Sequence, residues 1–144
     1  MSLANIFHIA GSAMSAQTIR LNTTASNMAN ADSVSSSVNE TYRARKPVFA
    51  LQEPSLEQVT NMDSGLLPGQ GVQVKGIVES QAPLRTEYNP SHPLADEKGY
   101  VHYPNVNVVE EMADMISASR SFQINAEIMN TAKQMVQRAR TLGQ

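Results

Sequence analysis

Val108 to Leu142, VVEEMADMISASRSFQINAEIMNTAKQMVQRARTL, runs thirty-five residues without a proline or a glycine, and its reading decides the fold. Asn107 stands just before it as a helix N-cap, with Glu110 at the third helical position to complete a capping-box-like arrangement. Glu110, Glu111 and Asp114 crowd the start while Arg138 and Arg140 lie at the end, the sense that complements a helix macrodipole. At 1.5 Å per residue this predicts a helix roughly 50 Å long, more than a small globular core requires.

The apolar pattern of that helix forms two rows. One runs Val108, Met112, Met115, Ser119, Phe122, Ala126, Met129, Lys133, Val136; the other runs Ile124, Ile128, Ala132, Met135, Ala139, Leu142. One partner helix needs one stripe, so a second stripe implies contact on another side. A partner is present at the other end of the chain. Leu3, Phe7, Ala10, Met14, Gln17, Leu21, Thr24 and Met28 alternate in steps of four and three, which keeps them on one helical face. Phe7, Met14, Leu21 and Met28 are therefore expected to pack within the chain against Met112, Met115, Phe122 and Met129. The row of Ile124, Ile128, Met135 and Leu142 is left for further copies of the chain or another protein, the competing arrangement being a three-element bundle that closes both rows internally. The N-terminal helix is intrinsically weak: Gly11 costs about 1 kcal/mol relative to Ala.

Between the helices the chemistry changes. All seven prolines fall between Pro47 and Pro104, so this part is broken by turns. It reads as a Ser-rich linker at Ser33–Ser37, then short strands at Tyr42–Leu51, Val72–Glu79, Leu84–Tyr88 and Tyr100–Tyr103, with a mobile loop near residues 54–71, most pronounced at Asp63–Gly71. Three regions result: an N-terminal helix over 1–32, a central β-rich region over 33–104, and a C-terminal helix over 105–144. The two helical regions together form one assembly domain. The fold class is α+β, two long terminal α-helices in an antiparallel, coiled-coil-like pair with a small β-rich centre. A β core of about 70 residues is marginal.

Composition narrows function. The chain has 144 residues, no Cys, and a formal charge of −2; it offers no thiolate chemistry and no basic surface for a nucleic acid. No apolar run reaches the ~18 residues that span a bilayer, and no charged, apolar leader of a cleaved signal peptide is read at the start. His92, Asp96 and His102 fall within eleven residues, but their spacing matches no usual ligand set. His8 reads as an interface or solvent-facing side chain. Gly69-Gln70-Gly71 is a turn rather than a nucleotide fingerprint, and Arg43, Arg45 and Lys46 read as a charged strand edge. No catalytic residue, metal site or cofactor is expected.

Ala25-Ser26-Asn27-Met28-Ala29-Asn30-Ala31-Asp32, preceded by Ser15-Ala16-Gln17 and Leu21-Asn22, resembles the N-terminal motif of the bacterial flagellar rod and hook axial proteins, with Ala25, Asn27, Ala29 and Asn30 carrying the match. Pro90-Ser91-His92-Pro93-Leu94-Ala95-Asp96, Gly99-Tyr100-Val101 and Pro104 through Met112 resemble the proximal rod members of that family. Ser117 to Phe122 and Thr141 to Gln144 continue the likeness, which covers essentially the whole chain and is weakest over residues 53–70. The resemblance implies a structural, non-enzymatic subunit that assembles helically through its terminal helices into the periplasmic drive shaft that transmits torque. It implies export through the flagellar type III apparatus without a cleaved signal. Implied partners are copies of itself, other rod subunits, the inner-membrane ring and its adaptors, and the distal rod, with no nucleic acid and no membrane insertion. The alternative is an exported helical adaptor acting as a monomer or small oligomer.

Overall fold

A computed structural model describes residues 3–53 and 70–142. Helix α1 spans Leu3–Ala29 and helix α2 spans Val108–Leu142, with strands β1 (Arg45–Leu51), β2 (Val72–Glu79), β3 (Arg85–Tyr88) and β4 (Tyr100–Tyr103) between them. The architecture is α+β, and α1 packs chiefly along α2. The helices run antiparallel: Asn27 near the end of α1 and Asn105 just before α2 both bind the segment Ala44–Arg45. Asn107 caps α2 by accepting the Val109 N–H at 3.1 Å. The return bond of a capping box, from the Asn107 N–H to the Glu110 carboxylate, is not made, and Glu110 is exposed to water.

The β-rich centre is not one core but two separate antiparallel ribbons, β1–β2 and β3–β4. With no Trp in the chain and, among the described residues, only Val101 of the strands fully buried, there is too little apolar area to close a sheet on itself. The β1–β2 ribbon lies on α1 instead. Its register slips between Val48 and Phe49, leaving Lys75 as the extra residue of a bulge. At its start Val72 N–H bonds to Ser12 Oγ on α1, and a Cβ at Gly71 would come within 2.5 Å of that hydroxyl. Glycine is what lets ribbon and helix approach.

Two further features differ from the sequence reading. The first strand begins at Arg45 rather than Tyr42, because Tyr42, Ala44 and Arg45 spend polar groups on Asn27 and Asn105 before the ladder starts. The Ser-rich segment is not a free linker: Ser35 exchanges both backbone hydrogen bonds with His102 at 3.1 Å, which lays it beside β4. The proposed loop at Asp63–Gly71 lies outside the described residues apart from Gln70 and Gly71.

Candidate functional site

The most informative surface is the helical pair itself. Among the described residues the fully buried apolar side chains are Ala10, Ala16, Ala31, Ala44, Ala118, Ala132 and Val101, six alanines and one valine. Alanine hides little area per residue, so the seam allows close helix approach but contributes modest stability. The larger side chains Phe7, Met14, Leu21, Met28, Met115, Phe122 and Met129 are only half-buried. One ion pair locks the register, Arg20 of α1 to Asp114 of α2 at 2.5 Å.

Met112 departs from the expected packing. It is half-exposed, and Glu111 takes the inward position with 3% exposure. One residue is a 100° rotation on a helix, and buried or half-buried residues at 111, 115, 118, 122, 125, 129, 132 and 136 trace the seam. Lys133, assigned to the same row as Met112, is likewise exposed. Glu111 lines a cavity of about 370 Å³ between α1, β1 and α2, together with Arg20, Lys46, Phe49 and Asp114.

The other row is divided: Ala132 turns into the seam with 4% exposure, while the larger side chains do not. Ile124, Ile128 and Met135 are 43–58% exposed, and the side chain of Leu142 lies outside the described residues. Val109, 75% exposed, and Ile116 form a second exposed apolar group with Met112 that the two-row reading missed. The signal was present in the sequence, as the spacing 109, 112, 116, but it was masked by assigning Met112 to the seam.

The motif at the end of α1 has a structural purpose. Asn27 is 1% exposed; its Oδ1 accepts from Arg45 N–H at 2.9 Å and from the Tyr42 hydroxyl at 2.8 Å, and its Nδ2 donates to Arg45 C=O at 2.8 Å. A side-chain amide thus takes the place of a neighbouring strand. Asn105 does the same for Ala44, accepting its N–H at 2.8 Å and donating to Ala82 C=O at 2.9 Å. The two clasps bind adjacent residues and tie both helices to one end of the β1–β2 ribbon, where Arg45 pairs with Glu79. Asn30 bonds back to Ser26 C=O at 2.8 Å, while Ala25 and Ala29 are exposed.

The Pro90–Asp96 motif builds a tight turn between β3 and β4. Asp96 Oδ1 accepts the N–H groups of Lys98 and Tyr100, and Gly99 adopts φ of +82°. The Tyr100 N–H holds the Asp96 carboxyl below its ordinary value, helped by the Lys98 N–H and by the charges of His102 and Lys98, against partial desolvation. His102 Nε2 lies 3.7 Å from Asp96 Oδ2, and His92 Nδ1 accepts the Leu94 N–H. These three side chains are thereby engaged in the turn. His8 is exposed on α1. Among the described residues no helix is long and apolar enough to cross a membrane.

Comparison with known proteins agrees with this geometry. A family model described as flagella basal body rod protein matches residues 7–35, which cover most of α1 and the clasp motif, and one described as flagellar basal body rod FlgEFG protein C-terminal matches residues 97–142. The chain is 51% identical over 144 residues to the flagellar basal-body rod protein FlgC of Escherichia coli O157:H7, covering all of both chains. It is 49% identical over 147 residues to that of Salmonella typhimurium, again covering all of both. With the FlgC of Borreliella burgdorferi it shares 35% identity over 150 residues, 96% of each chain.

Proposed function

The chain belongs to the family of flagellar basal-body rod proteins and is a structural subunit of that rod; from this premise we propose that it is built in through the outward face of its helical pair. The exposed row of Ile124, Ile128 and Met135 carries the reading. Covering the remaining area of one such side chain recovers on the order of 1 kcal/mol, and the contact repeats at every subunit. Because the large seam side chains Met115, Phe122 and Met129 are only half-buried within the chain, the pair gains more from neighbours than a self-sufficient bundle would. Phe7, Met14, Leu21 and Met28 pack inward against Met115, Phe122 and Met129, and Leu142 extends the outward row.

In this reading the role is mechanical rather than catalytic. The helices form the inner layer of a helical, periplasmic drive shaft, and the Asn27 and Asn105 clasps carry torque between that layer and the β ribbons. The subunit leaves the cytoplasm through the flagellar type III apparatus without a cleaved signal, and meets the inner-membrane ring on one side and the distal rod on the other.

Ile128→Asp tests it. The expected result is a soluble subunit whose circular dichroism matches the parent but which no longer enters the rod, with loss of swimming. Normal incorporation overturns the reading, as does an insoluble subunit, which places Ile128 in an internal core. A parent chain that stays one small species as concentration rises favours the adaptor alternative.

A further inference from the structure

Both strands of the β1–β2 ribbon pack on α1, and neither packs along α2. Between β1 and α2 lies the 370 Å³ cavity instead. Glu111, in the first turn of α2, forms part of its wall. The residue is 3% exposed, and among the described residues its carboxylate has neither a hydrogen bond nor an ion pair. A carboxylate taken out of water without a partner is costly, so this acid is matched to a cation that can reach it.

Arg20, Arg45 and Lys46 line the same cavity, and two of them are committed elsewhere. Arg20 is paired with Asp114. Arg45 is held by Glu79 at 3.2 Å and lies over the Tyr42 ring, its Cζ 5.3 Å from the centroid. Lys46, the second residue of β1, is exposed, with no side-chain hydrogen bond or ion pair among the described residues. A buried acid and a free base therefore share one cavity without touching. The ammonium rides on a flexible four-carbon stem, and such a stem can lie along apolar surface of the kind Phe49 supplies in the cavity wall.

We propose that Lys46 is a strap poised over this cavity, whose Nζ crosses to the Glu111 carboxylate and closes an ion pair between β1 and α2. The fold desolvates Glu111 whether or not the pair forms, so closure requires only Lys46 to leave water. The strap acts at the end of the ribbon where Asn27 and Asn105 hold Arg45 and Ala44. Those amides set where the ribbon starts, and the strap sets how closely β1 sits over α2. The contact lies within one chain and does not depend on the assembly reading above.

One substitution in two backgrounds of the full chain tests it. Lys46→Met keeps the apolar stem and removes the charge. In the parent chain it leaves Glu111 buried and uncompensated, and the urea midpoint is expected to fall by on the order of 1 M. In a Glu111→Gln background the same substitution should leave the midpoint nearly unchanged. Equal shifts in the two backgrounds, or no shift in the parent, overturn the strap. A second measurement needs no variant. In the unsubstituted subunit, nuclear Overhauser contacts are expected between the ε-protons of Lys46 and the γ-protons of Glu111, and a Lys46 stem as freely averaged as in an unfolded peptide overturns the proposal.

Discussion

Asn27, buried in the last turn of α1, hydrogen-bonds both the N–H and the C=O of Arg45, eighteen residues away at the first position of β1. The amide is planar and presents donor and acceptor side by side, as the edge of a strand does. The helix therefore ends in a fitting that dictates where the β1–β2 ribbon starts. With Asn105, just before α2, holding Ala44, the same end of the ribbon is tied to both helices.

Removing that fitting has a definite consequence. Asn27→Ala strands the Arg45 N–H and C=O and the Tyr42 hydroxyl, each of which costs about 1–3 kcal/mol when left buried and unpaired. Partial access of water lowers the sum, and a loss of about 2–4 kcal/mol is expected in urea unfolding. Tyr42→Phe removes a single bond and should cost only about 1 kcal/mol. Equal effects from the two substitutions would show that the amide does not act on the backbone.

Gln17 sits in the α1–α2 seam with its buried Oε1 unpartnered. Gln17→Met removes that unpaired acceptor at similar volume, and is expected to stabilise the folded subunit by about 1 kcal/mol, read as a higher urea midpoint. Polar seam residues also help fix register, so loss of the Arg20–Asp114 pairing in the variant would show that Gln17 selects the alignment.

Gly99 combines a positive φ with a Cβ direction that meets the Tyr88 ring at 3.0 Å and Pro90 at 3.2 Å. Gly99→Ala should destabilise the β3–β4 turn by about 1–3 kcal/mol. Amide exchange at Asn89 and His102 should quicken while α2 remains protected. Unchanged exchange would contradict the strained-turn account.

The same turn has an acid limit. Asp96 titrates below its ordinary value in the folded chain, so the bonds it accepts from Lys98 and Tyr100 contribute stability above the unfolded carboxylate range, and that contribution is lost as pH falls through the lower folded value. Amide shifts of Lys98 and Tyr100 should move together in that acidic window. Asp96→Asn should remove the acid step.

How far local chemistry reaches is visible in particular elements. The bounds of α2, the Asn107 cap, and the strands Val72–Glu79 and Tyr100–Tyr103 follow from residue types within a few positions of each other. A run free of Pro and Gly propagates a helix, Asn caps it, and a Gly stands just before each of these strands. The motifs around Asn27 and Pro90 likewise carry the family in their order along the chain.

Tertiary structure decided which side of each element matters. Glu111 rather than Met112 turns inward because the seam follows the other helix, and an error of one residue moves a side chain by 100°. The bond of Ser35 to His102, the hold of Asn27 on Arg45 and that of Asn105 on Ala44 join residues 18 to 67 positions apart. No period or local propensity encodes such pairs, since they arise only when the folded chain brings unpaired polar groups together and burial makes leaving them unpaired costly.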